Sequence, residues 1–204
     1  LYGDDVSVRA RAAAAAGSDA RMSGCEMPVV IVSGSGNQGM TASLPVITYA
    51  RDRGASEEEL LRALAVADLV TIHQKTGIGR LSAFCGAVSA GCGAAAGIAY
   101  LLGGRYDVIA HTVANTLAIC AGMICDGAKE SCGLKVSNAA SEAWSAAMLA
   151  LENRGIRNTQ GIISPDIHEL GITLREFNEK IFSAADSVMI GLMTRQNRSA
   201  ESRA

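Results

Sequence analysis

The stretch Pro28–Thr41, PVVIVSGSGNQGMT, decides between two fold classes. An apolar, β-branched run enters a glycine-rich loop, and a helix-like segment follows. Gly34, Gly36 and Gly39 spell G-x-G-x-x-G, the dinucleotide fingerprint, and the same loop is one residue away from a phosphate-binding P-loop. As a nucleotide loop it would open an α/β fold of alternating strands and helices. Such a loop is followed by a helix and a second strand ending in an acid about 20 residues on. Asp52 stands 18 residues after Gly34, so the acid has a candidate. Pro45, however, is expected to leave barely two helical turns before any second strand. A capped helix follows Asp52, and no further βα alternation occurs. The P-loop reading fails on chemistry, because the lysine that should follow Gly39 is Met40 and nothing reaches the terminal phosphates. Closely spaced glycines still let backbone N–H groups converge on an anion. Ser33, Ser35, Asn37 and Gln38 add side-chain donors, and a helix starting near Asn37 would add its positive end. A small carboxylate suits this loop as well as a phosphate. The bland alternative is a tight strand-to-helix connection.

The frame around the loop is helical. The chain has 204 residues, expected to form one domain over 1–204. Hydrophobic residues make up 49% and aromatics only 4%, so the apolar mass is alanine, valine, leucine and isoleucine. Alanine is the best helix former, which favours closely packed helices. The net charge of -2 comes with no basic stripe, so nucleic acid is not an expected partner. No signal-peptide pattern opens the chain, which points to the cytoplasm. The first residue is Leu1, which suggests a C-terminal part of a longer chain.

Residues 4–20 are polar and alanine-rich and read as a helix. Met27–Val32 is the only strand-like run. Ser56-Glu57-Glu58-Glu59 is a capping box, opening a helix to about Lys75 with Leu60, Leu61, Leu64, Ala67 and Val70 or Thr71 on one face. Two long apolar segments follow, Leu81–Gly104 and Val108–Cys125, each nearly long enough to span a bilayer. The first is rich in glycine, and the second carries His111 and Asn115, which are costly in lipid. Buried central helices fit better. Lys135–Glu152 is again helical. Ser164-Pro165-Asp166 reads as a helix start with proline at the first helical position. Thr173-Leu174-Arg175-Glu176 reads as a second capping box, opening a helix to about Met193, with a frayed polar tail from Thr194. The expected fold is mainly α: a packed helical domain with buried Gly/Ala-rich central helices and at most a short strand before the glycine loop.

Six cysteines occur: Cys25, Cys85, Cys92, Cys120, Cys125 and Cys132. Free cysteine packs as a small hydrophobe, the expected state of Cys92 and Cys120. Zinc sites bring ligands in closely spaced pairs. Here Cys125 and Cys132 have six residues between them, and Cys85 lies 40 residues before Cys125. That spacing fits a three-cysteine cluster better than a zinc knuckle. Cys85 and Cys92, seven residues apart on an apparent helix, share nearly one face, and periodicity does not choose between them.

SGSGNQG (33–39), GRLSAFCGAV (79–88) and CDGAKESCGLKVSNA (125–139) together resemble the α-domain of iron–sulfur L-serine dehydratases, and most of all the L-cysteine desulfidase branch. The likeness runs in order over roughly residues 22–195. It implies that Cys85, Cys125 and Cys132 hold a [4Fe–4S] cluster with one iron open. It implies a lyase that eliminates water or sulfide from L-serine or L-cysteine, giving pyruvate and ammonia. Ser35, Gly36, Asn37 and Gln38 would bind the substrate carboxylate. Lys75, Arg80 and Lys129 lie beside motif residues as carboxylate or cluster partners, and for each a solvated surface charge is the alternative. Desulfidase relatives carry a Gly-Cys-Thr-Glu-Pro motif in a preceding half. Gly24-Cys25-Glu26-Met27-Pro28 is only superficially similar, and no catalytic role passes to Cys25. The missing half, a small amino-acid substrate and a homodimer are the expected partners, no membrane is, and no catalytic base is identified. The reading from another class is a non-catalytic module that kept the fold and binds a small anion or a partner.

Overall fold

The computed structural model describes residues 3–201, with side chains through Gln196. The elements are α1 (Val6–Met22), α2 (Gly36–Asp52), α3 (Glu57–Ile78), α4 (Gly86–Leu101), α5 (Tyr106–Cys120), α6 (Cys132–Leu151), α7 (Ile167–Phe177), a π-turn (Asn178–Phe182) and α8 (Ser183–Glu201). The fold is mainly α. No helix among the described residues is long and apolar enough to cross a membrane.

The centre is α4. It packs against α2, α3, α5 and α6, and every residue from Ala87 to Ala99 is buried. Small side chains make this possible. A Cβ at Gly91 would press on Ala139 of α6, one at Gly93 would meet Ala67 and Thr71 of α3, and one at Gly97 would meet Val46 and Ala63. One half of the core gathers Phe84, Val88, Val113, Leu117, Val136 and Leu170. The other gathers Val46, Tyr49, Ala63 and Ile98, with Tyr49 stacked on Trp144 at 4.7 Å between ring centroids.

Local signals set several helix starts. Ser56 and Glu59 form the expected capping box, with Ser56 N–H donating to Glu59 Oε2 at 2.8 Å. The α3 helix runs past Lys75 to Ile78, and its buried stripe is Ala63, Ala67, Thr71, Gln74, Lys75 and Ile78. Leu61, expected on that stripe, is 58% exposed.

Several expectations are corrected. Pro45 does not end its helix: α2 runs through it to Asp52. The missing donor costs about 3 kcal/mol, but the helix is packed against α1, α3 and α4, and burial outweighs that local cost. Asp52, the candidate nucleotide acid, is instead ion-paired with Arg9 of α1. Met27–Val32 forms no strand. Only an isolated bridge joins Val32 to Ser35, and Met27, Val30 and Ile31 are exposed, because no second strand among the described residues pairs with the run. The Thr173–Glu176 sequence opens no helix, since it lies inside α7. That helix already starts after Asp166, whose Oδ1 accepts from the N–H groups of His168 at 2.8 Å and Glu169 at 3.0 Å. Pro165 therefore stands before the cap rather than at the first helical position. The tail from Thr194 continues α8 to Glu201, and residues 202–204 lie outside the described residues.

Candidate active site

Three connections and three helix starts converge on one cavity of about 250 Å³. Residues 33–38 bring the glycine loop and the start of α2. Residues 79–86 join α3 to α4. Residues 121–132 join α5 to α6. A two-residue antiparallel contact locks the last two together: Cys85 N–H donates to the Met123 carbonyl at 3.1 Å, and Cys125 N–H to the Ala83 carbonyl at 2.7 Å.

The glycines of the loop are occupied by protein. A Cβ at Gly34 would sit 2.7 Å from the Arg80 carbonyl oxygen, one at Gly36 would sit 2.9 Å from Arg21 Nε, and one at Gly39 would drive into the Val30 carbonyl. Ser33 takes the left-handed conformation, φ 62°. Ser35 caps α2 by accepting from Gln38 N–H at 3.3 Å. Ser35, Asn37 and Gln38 line the cavity and Gly36 does not. Gln38 is buried and its Oε1 has no partner among the described residues.

All three expected cluster cysteines line the same cavity. Cys85 is the N-cap residue of α4 rather than a member of its interior, and Cys132 is the first residue of α6. The thiols of Cys85 and Cys125 interact, and that interaction splits their acidities. It raises Cys85, together with burial, and lowers Cys125, where Gly127 N–H and Lys135 help against burial. Cys132 Sγ accepts from Lys129 N–H at 3.5 Å and donates to the Gly127 carbonyl at 3.6 Å. Among the described residues no group of three or more His, Cys, Asp or Glu stands close enough to hold a metal ion. The three thiols therefore form no single-ion site. A cubane differs in that its thiolates bind separate irons, and three thiols spread over one cavity wall suit that larger group. Cys92 and Cys120 are buried in the core, and Cys25 is exposed and away from the cavity.

Lys75 and Arg80 line the cavity. Lys75 is 4% exposed. Burial lowers its pKa, against the opposing pull of Cys125 and Cys85. Lys129 does not line it: its ammonium turns to Asp126 and to that residue's own carbonyl at 2.9 Å, and only its backbone reaches Cys132. The sequence reading missed Arg21 and Lys135, both in the lining. Arg21 ends α1 and donates to Asn37 Oδ1 at 3.1 Å; no local signal places it there. Lys135 follows Cys132 by three residues on α6, so helical spacing could have found it. Lys135 pairs with Asp126, whose carboxyl the bonds from Lys129 and Lys135 lower to about 2. Arg21, Lys75, Arg80 and Lys135 thus line the cavity with no carboxylate among the lining residues, a field that favours anions.

The serine dehydratase alpha chain family matches residues 2–181. The chain is 52% identical over 195 residues to the UPF0597 protein DSY1109 of Desulfitobacterium hafniense, covering 96% of this chain and 45% of that one. It is 47% identical over 195 residues to the UPF0597 protein FN1147 of Fusobacterium nucleatum, covering 96% and 46%. It is 48% identical over 193 residues to a UPF0597 protein of Lachnoclostridium phytofermentans, covering 95% and 46%. The chain spans a little under half the length of these relatives. No solved structure matches it. On this match the chain belongs to the serine dehydratase alpha chain family.

Proposed function

We propose that this cavity is the cluster and substrate site of an amino-acid lyase acting on L-serine or L-cysteine. The observation that carries the reading is the meeting of Cys85, Cys125 and Cys132 with the glycine loop and four cations on one cavity. When bound on the three thiols, a [4Fe–4S] cluster supplies Lewis acidity toward the leaving group at Cβ. The chain's own residues bind and orient. Lys75 and Arg80 neutralise the substrate carboxylate beside Ser35 and Asn37. The unpartnered Oε1 of Gln38 accepts from the α-ammonium, which answers the cost of leaving a buried acceptor unmade. Lys129 takes no direct part and braces Asp126 instead.

Elimination breaks Cα–H and the Cβ–O or Cβ–S bond, releases water or sulfide, and leaves aminoacrylate, which water converts to pyruvate and ammonia. The group that takes the Cα proton belongs, in this reading, to the remaining half of a relative-length protein. Exposed Leu81 in the cavity lining and exposed Ile124 on the connection that carries Cys125 support a covering segment there. Six free cysteines favour a reducing compartment, the cytoplasm. The test is iron and acid-labile sulfide per chain after anaerobic reconstitution, with on the order of four irons expected.

A second reading has its own observation, the cations that line the cavity with no carboxylate among the lining residues. There the cationic cavity holds a small anion and no iron. A reconstituted chain that takes up no iron but binds serine would decide for it.

A further inference from the structure

The π-turn and α8 reach the cavity wall from behind. Asn178, buried at the start of the π-turn, accepts from Ser82 Oγ at 2.6 Å and donates through Nδ2 to the Ile78 carbonyl at 3.0 Å. Ser82 Oγ in turn accepts from Phe84 N–H at 3.0 Å. Asp186 on α8 accepts from Ala83 N–H at 2.6 Å. Phe182 meets Phe84 edge-on, with ring centroids 5.4 Å apart. Asn178, Phe182 and Asp186 are spaced four apart, and all three touch the segment that ends α3 and leads to Cys85. That segment carries Arg80, Leu81 and Ser82 into the cavity, with no helix of its own between Ile78 and Gly86. Neither Asn178 nor Asp186 lines the cavity.

We propose that Asn178 and Asp186 are positioning residues, which fix the Gly79–Cys85 segment so that Arg80 and Cys85 face the cavity. The inference rests on the reading of that cavity as a cluster site. Irregular backbone must find its partners outside a ladder, and these two side chains supply them. π-turns recur at functional sites, and here the turn places three contacting residues on one side. Asp186 is needed only as an acceptor, so asparagine can replace it. Asn178 is needed as donor and acceptor together, so aspartate cannot.

The test uses the whole 204-residue chain. In the metal-free, reduced protein, the rate of Cys85 alkylation by iodoacetamide is read by peptide mass spectrometry. Iron and sulfide are then measured after anaerobic reconstitution. Asp186→Ala and Asn178→Ala are expected to alkylate about tenfold faster at Cys85, the ratio that loss of one such hydrogen bond represents, and to retain less iron. Asp186→Asn should behave as wild type, and so should Glu176→Ala, which removes an exposed pair with Lys180 on the same helical run. That rescue separates positioning from general helix stability. If Asn178→Ala fails to fold, Asp186→Ala and Asp186→Asn carry the comparison. Wild-type alkylation rates in Asp186→Ala, or full iron retention in it while wild type loads, overturn the proposal. A wild-type chain that takes no iron while the alkylation contrast persists overturns the cluster reading instead and leaves the positioning role standing.

Discussion

Cys85 and Cys92 look equivalent along a helix, yet one stands at the cap of α4 on the cavity and the other is fully buried in the core. Serine at Cys85, Cys125 or Cys132 should each abolish stable iron uptake, because thiolate ligation is lost. Serine at Cys92 or Cys120 should leave iron nearly unchanged and cost about 1–3 kcal/mol of stability, since a hydroxyl is buried without a partner. Iron and acid-labile sulfide across the five variants check this, and a Cys92→Ser chain that empties while Cys85→Ser stays loaded would refute it. The same scale decides the glycine loop. Alanine at Gly39 forces the Val30 carbonyl aside, so Gly39→Ala should destabilise by about 1–3 kcal/mol in urea unfolding. The sequence marks Gly39 as special without saying what approaches it, because the approaching carbonyl belongs to a fold-dependent contact.

At the scale of elements, the Ser56–Glu59 cap acts as its sequence specifies. Ser56→Ala should cost about 1 kcal/mol, measured by thermal unfolding. The bonds from Ser56 N–H and its hydroxyl hold the Glu59 carboxyl below its ordinary value of 4.5. A depressed folded value means that its stabilisation is complete above pH 4.5 and lost as pH falls through the lower folded value. Glu59→Gln cannot titrate, so its melting temperature should fall less steeply on acidification below about pH 4.5; an unchanged slope would remove Glu59 from the acid response. The Thr173–Glu176 sequence has the same pattern and caps nothing, since Asp166 has already started α7. A capping box identifies a competent start, and packing of the preceding turn decides whether it is used.

For the whole molecule, this chain spans a little under half of its relatives. The reconstituted chain should therefore turn over serine or cysteine poorly or not at all; robust pyruvate formation by it would place every catalytic group within these residues. It should also bind neither NAD nor ATP at micromolar concentration in calorimetry, since protein atoms fill the approaches to Gly34, Gly36 and Gly39. The sequence by itself determined the helical class, the capped start of α3, the small-residue central helix and the cysteines that line the cavity. Those follow from composition, caps and motifs, which act over a few residues or are carried by a family likeness. Tertiary structure alone decided that α2 passes through Pro45, that Met27–Val32 pairs with no strand, and that Arg21 and Lys135 enter the cavity while Lys129 turns to Asp126. It also decided that Cys85 and Cys125 meet on one cavity. Each of these depends on which distant segment is packed alongside, and burial against that neighbour outweighs the local preference of the chain.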